Sequence, residues 1–215
     1  MTLTGTNSFT GEHHIGAAGA LMVTQAGNLG AATATVGLDT ATSHLVLDGV
    51  SGALANTLSG VTGATVDVTN GANTSLTADN SNFLGQYALA GNSTLSVGST
   101  SHLGANASVT LAGTQDRLAL SGFNGTFGNT VTGSGVVQVT GGSDATLTST
   151  NGINDAVSLD ITDAILNLED IAQFNHALTG NGTLNVARNL ASTAFDFGSA
   201  VGGAFSGIVN LTNST

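Results

Sequence analysis

Apolar residues recur at every second position in short stretches of this chain: ALMVT (20–24), ATVGL (34–38), HLVLD (44–48), ATVDV (64–68), TLSVG (94–98), ASVTL (107–111), RLAL (117–120) and VVQV (136–139). A period of two, with β-branched residues inside and Gly, Asn, Asp and Ser at the ends, predicts half-buried strands. Asn-Gly pairs at 70–71, 124–125, 151–152 and 181–182 add turn signals. One stretch departs from the pattern. In 161–178, Ile161, Ile165, Leu168, Ile171 and Phe174 fall at helical spacing with Asp163 as a possible N-cap. A short helix at about 169–175, after a strand at 165–168, reconciles the two patterns.

The apolar positions belong to a repeat. Phe9, Gly11, Ile15, Leu21, Val23, Leu29 and Gly30 recur 74 positions later as Phe83, Gly85, Leu89, Leu95, Val97, Leu103 and Gly104. At an offset of 73, Val36, Leu38, Leu45, Leu47, Gly49, Gly52 and Gly60 become Val109, Leu111, Leu118, Leu120, Gly122, Gly125 and Gly133, and at 71 residues 66–76 face 137–147. A truncated third unit follows. Val157, Leu159, Leu166 and Leu168 sit 48 after Val109, Leu111, Leu118 and Leu120, and Leu178, Gly180, Gly182 and Val186 sit 47 after Val131, Gly133, Gly135 and Val139. The piece carrying Phe-x-Gly and Leu-Gly is missing there. Near the end, Phe205, Gly207 and Leu211 repeat the spacing of Phe83, Gly85 and Leu89.

These units predict one solenoid over 1–215: about 3–75, 76–148, a truncated 149–204, and the start of another at 205–215. The repeat keeps apolar and glycine positions while polar ones drift, as expected where each segment stacks on its neighbours, and only such an array tolerates the loss of a segment. The expected fold is all-β, a parallel β-helix of roughly nine or ten coils, with a unit near 73 residues taken as about three coils. At a spacing of about 4.8 Å per coil the rod is about 45 Å long. A β-sandwich also gives regularly spaced strands, but it does not explain a unit with a droppable segment.

Composition narrows the function. The 215 residues include 31 Gly, no Pro, Cys or Trp, and 7% charged residues; formal net charge is -11, with Arg117 and Arg188 as the sole Lys or Arg. Nucleic-acid binding and attachment to anionic lipid both need several cationic side chains and are excluded on charge. No apolar run reaches the about 18 residues of a membrane-crossing helix. Zero cysteine fits a cytosolic protein or one exported through an oxidising compartment. Met1 leads directly into repeat sequence and the chain stops as a new unit begins, which predicts a piece of a longer repeat protein.

The motif LTGTNSFTG…AGALMV…NLG (3–30), its second copy at 76–104, and the tail 174–214 resemble the passenger-associated repeat of type V autotransporters of Gram-negative bacteria. The resemblance covers most of the chain, although its motifs are of low complexity. It implies a right-handed parallel β-helix exported to the cell surface and anchored in the outer membrane through a C-terminal β-barrel lying outside this chain. It favours the export reading of the missing cysteines. It further implies adhesion, autoaggregation or biofilm formation without catalysis, with a host surface, extracellular matrix or another passenger as partner. A minority of such proteins carry a protease or lipase domain.

The candidate chemistry is sparse. Glu12-His13-His14 is the densest titratable cluster; on a strand Glu12 and His14 share one face while His13 points to the other, short of the three or four ligands a zinc site needs. Both histidines are expected on the solvated side of a coil or in its turn. Asp39, Asp48, Asp67, Asp116 and Asp144 fall at strand ends, where turn chemistry places them. A polysaccharide-cleaving β-helix is the alternative enzyme reading. It needs several carboxylates on one groove, for which Asp160, Asp163, Glu169 and Asp170, with Asp48, are the nearest set. Gly141-Gly142-Ser143-Asp144 has a single copy of a pattern that binds calcium only when repeated. Asn73, Asn92, Asn106, Asn124, Asn181, Asn210 and Asn213 begin Asn-x-Ser/Thr triplets, read as a polar surface. Gly198–Gly203 reads as a turn, and Thr-x-Thr pairs such as Thr33/Thr35 are too irregular for an ice-binding array. No residue is assigned to catalysis, cofactor or metal.

Overall fold

A computed structural model describes residues 1–148, 152–171, 173–188 and 204–213. It is all-β, with parallel sheets wound into a β-solenoid of about nine turns. From Ala20 to Glu169 the backbone passes three faces in a fixed order, a bridge or a 3-10 turn standing in where a strand is missing. The first face is a seven-stranded sheet running from Thr2–Leu3 and Ala20–Val23 through His44–Asp48, Thr65–Thr69, Gln86–Leu89 and Ser108–Leu111 to Thr130–Gly133. The second has eight strands, from Ser51–Leu54 through Asn73–Leu76, Thr94–Val97, Arg117–Ser121, Val136–Thr140, Ser158–Ile161 and Leu178–Gly180 to Ala204–Phe205.

The third face is split. Its lower sheet holds Glu12–Ile15, Thr35–Leu38 and Thr57–Gly60, onto which Phe83 bridges at Gly60. Its upper sheet holds Asn124–Thr126, Asp144–Thr148, Ile165–Glu169, Thr183–Arg188 and Ile208–Asn213. Between them a 3-10 turn at Thr100–His102 takes the place of a strand. A similar turn at Ala26–Leu29 does so on the second face. No helix of the described residues is long and apolar enough to cross a membrane.

In-register pairing turns the period of two into ladders. On the first face Leu21 lies beside Leu45, Leu45 beside Val66, Val66 beside Tyr87, Tyr87 beside Val109 and Val109 beside Val131. All of these are buried, most of them completely. Each apolar residue thus lies between like residues above and below, so a thin core suffices and charged residues are left to the outward positions. The ring pairs Phe83–Tyr87 and Phe123–Phe127 are fully buried in that core.

The repeat is longer than three coils. Ala20–Val23 lies on the first face, whereas its equivalent Thr94–Val97 lies on the second; Thr35–Leu38 lies on the third and Ser108–Leu111 on the first. From one to the other the backbone passes ten strand positions, three turns plus one face. The second copy is therefore the first, raised and rotated by one face. From Ser108–Leu111 to its equivalent Ser158–Ile161 there are seven positions, two turns plus one face. The segment lost from the third unit is one whole coil.

Two expectations change. Leu159 and Ile161, rather than Val157 and Leu159, take the places of Val109 and Leu111, because both strands show the same inward pattern at their second and fourth residues. The turn that follows is two residues shorter in the third unit, which restores the alignment at Leu166 and Leu168. There is also no helix among the described residues of 169–175. Ile165–Glu169 is a strand with Leu166 and Leu168 inward, and Asp170 leaves it at φ 55, a conformation that ends the strand without starting a right-handed turn. Strand pairing on both sides outweighs a helical spacing that a lone segment can satisfy. The predicted turn Gly198–Gly203 and Asn151 of the pair 151–152 lie outside the described residues.

Candidate functional site

Several polar groups that the two copies share are internal. Asn56, 3% exposed, donates to the carbonyls of Ala31 (2.9 Å) and Ala34 (3.0 Å). Asn129, also 3% exposed, donates to those of Gly104 (2.7 Å) and Ala107 (2.9 Å). Donor and acceptors each correspond at an offset of 73. Asn28 Oδ1 accepts from the amides of Thr24 and Gln25 at 3.0 Å each, which closes the first 3-10 turn. In the second copy His102 replaces it, its Nδ1 accepting from the Gly98 amide at 3.2 Å. A buried corner carbonyl without a donor is costly, so these polar side chains are kept for stacking. The identical Asn at 56 and 129 stands in the alignment of the two copies, where the drift of polar positions on either side hides it.

Two glycine sets show why the motifs recur. Gly30 and Gly104 adopt φ 93 and 94, and a Cβ on either would collide with the carbonyl oxygen of Phe9 or Phe83. In Phe-x-Gly, a Cβ at Gly85 would lie 2.7 Å from Cζ of Phe83, and one at Gly207 would lie 2.6 Å from Cζ of Phe205. At these two the ring folds over the glycine, whereas in the first copy Phe9 leaves Gly11 open and packs against His13.

The Glu12-His13-His14 cluster divides as its strand dictates. His14 is on the outer side, with Asp39 on Nδ1 at 3.2 Å and Glu12 on Nε2 at 3.3 Å. Its ring nitrogens thus face opposite carboxylates, and no single point receives lone pairs from all three side chains. His13 corrects the expectation of a solvated residue. It turns inward, meets the Phe9 ring edge-on at 4.1 Å, and its Nε2 donates to the Leu29 carbonyl at 3.2 Å. In the second copy the phenol of Tyr87 donates to the Leu103 carbonyl at 3.2 Å. His13 stands where the repeat has Tyr. Burial pushes the Tyr87 phenol far above its ordinary range.

The acidic residues do not converge. Asp116 is buried in a turn, accepting from the amides of Ser93 (2.9 Å) and Gly113 (2.8 Å). Asp67 pairs with His44 at 2.7 Å on the first face. Asp48 accepts from Thr69 and Asp160, on the second face, from Gln138 and Thr162. Asp163 sits at a corner, and Glu169 and Asp170 lie at the end of a third-face strand. Gly141-Gly142-Ser143-Asp144 is a turn: both glycines have positive φ, and Ser143 Oγ donates to the Leu120 carbonyl at 2.9 Å. An open depression of about 600 Å³ runs past Asn124, Asp144, Asp163 and Asn181. Its two carboxylates are engaged by Asn167 and Asn181. Among the described residues no three of His, Asp and Glu are arranged to hold a metal ion. Outward positions carry polar ladders instead, as in the run of side-chain amides from Asn210 to Asn185 to Asn167, 2.9 Å at each step.

No protein-family model, curated protein or solved structure matches this sequence.

Proposed function

We propose that the protein is a non-enzymatic solenoid segment of an autotransporter passenger, displayed at the surface of a Gram-negative cell. It projects a distal region and serves adhesion, autoaggregation or biofilm formation through its long polar faces, toward a host surface, matrix or another passenger. The observation that carries the reading is the division of labour in the repeat. Groups common to both copies, from the Leu and Val ladders to Asn56 and Asn129, hold coil on coil, and most of the carboxylates and imidazoles among the described residues are spent locally. The motif resemblance supplies the surface location and the export route.

The test pairs two measurements. Release of reducing ends from acidic and neutral polysaccharides is expected to stay at background, and turnover of any of them sinks the reading in favour of a carbohydrate-active β-helix. Cells displaying the protein on an outer-membrane barrel are expected to settle or adhere faster than cells displaying the barrel alone. Equal behaviour removes the adhesive role.

A further inference from the structure

Asn-Gly pairs are prone to spontaneous deamidation, since glycine has no Cβ to hinder its own nitrogen. The glycine backbone nitrogen attacks Cγ of the asparagine, the Cγ–Nδ2 bond breaks and ammonia leaves. Water then opens the succinimide at either carbonyl, giving aspartate or an isoaspartyl link with an extra backbone atom. Neither oxidant nor enzyme is required, but the attacking nitrogen must be free to move.

Stacking removes that freedom at two pairs. The Gly71 amide donates to the Gly91 carbonyl at 2.9 Å, and the Gly182 amide to the Ile161 carbonyl at 2.8 Å. Asn70 and Asn181 are themselves exposed, so the lock is on the nucleophile and not on the reacting side group. Asn181 has in addition a carboxylate beside it, that of Asp163.

We propose that Asn181 is a deamidation site held shut by stacking, and that its conversion loosens the adjoining coils irreversibly. Asn181 Oδ1 accepts from the Asp163 amide at 3.1 Å while its Nδ2 donates to Asp163 Oδ1 at 3.4 Å. Aspartate at 181 keeps the acceptor but sets a second carboxylate oxygen against that of Asp163. An isoaspartyl link would also displace Thr183–Arg188 from its register on Ile165–Glu169. Each conversion favours the opening that permitted it.

Mass mapping of the 215-residue protein, held at mildly alkaline pH in buffer and in denaturant, tests the lock. Asn181 is expected to convert at least about tenfold more slowly in the folded protein than in denaturant, because reaction waits for local opening. Equal rates at Asn181 in the two solutions overturn the lock. Asn181→Asp installs the product directly and is expected to speed amide exchange in 183–188 and lower Tm, with Asp163→Asn in the same molecule restoring both. A variant indistinguishable from the parent overturns the loosening, and loss of folding without rescue by Asp163→Asn overturns the charge-repulsion account.

Discussion

At the residue scale the informative groups are the few polar ones inside. Tyr87 is the single tyrosine in a protein without tryptophan, so its ionisation is read without interference. Its pKa is raised in the folded state by burial. Below the unfolded value of about 10 the phenol is neutral in both states and stability is insensitive to it. Above that value the unfolded state ionises and the folded one does not, so stability falls as pH rises. Tyrosinate absorbance is expected to appear together with loss of the β-sheet CD signal; a smooth titration near pH 10 with the sheet intact contradicts the buried placement. Asn129→Ala removes the side-chain donor from two corner carbonyls, of which that of Gly104 keeps the Ala107 amide, and is expected to cost about 1–3 kcal/mol in urea unfolding. Asn56→Ala should cost a similar amount, and a negligible effect at both would mean that water replaces them.

Elements show which sequence signals carry structure. Strand periodicity is legible wherever inward residues form ladders, since Leu, Val and Ile at alternate positions are what a thin parallel core demands. It misleads at 169–175, because helical spacing is a property of one segment and pairing with Thr183–Arg188 is a property of three coils. The place of His13 is hidden for the same reason. Its inward role exists only through Phe9 and the Leu29 carbonyl, neither of which adjoins it in sequence. The two 3-10 turns are marked only by Leu-Gly, and their closure by Asn28 or His102 is masked by the change of residue. That substitution is testable. His102→Asn restores the first copy's acceptor and is expected to change stability by less than about 0.5 kcal/mol, whereas His102→Leu leaves the Gly98 amide without its imidazole acceptor and should cost about 1–2 kcal/mol. Equal losses in thermal denaturation would show that packing of the imidazole matters more than its nitrogen.

For the whole molecule, stability is a sum over neighbouring coils, so length is negotiable in whole turns. The third unit already lacks one coil. Gln86 pairs with Ser108 in register, so excision of residues 86–107 joins equivalent positions and removes one turn. The shortened protein is expected to unfold cooperatively, with a denaturant m-value lower by roughly a tenth, in proportion to the surface lost. Excision of 86–96 alone removes a first-face strand and most of a second-face one, so that two third-face segments follow one another, and is expected to abolish folding. A shortened protein that fails in the first case, or survives in the second, contradicts the coil-by-coil account. The number of turns is legible in the repeat length, but the extra face per unit is not, since a period near 73 residues does not reveal how many strands it contains.

That extra face has a consequence for anything that recognises the rod. The Leu29-Gly30 turn closes the second face and the Leu103-Gly104 turn closes the third. The surface beside it, at Ala26 and Gly27 in one copy and at Thr100 and Ser101 in the other, therefore looks out in two directions, and a flat partner laid along one side of the rod reaches one of them and not the other.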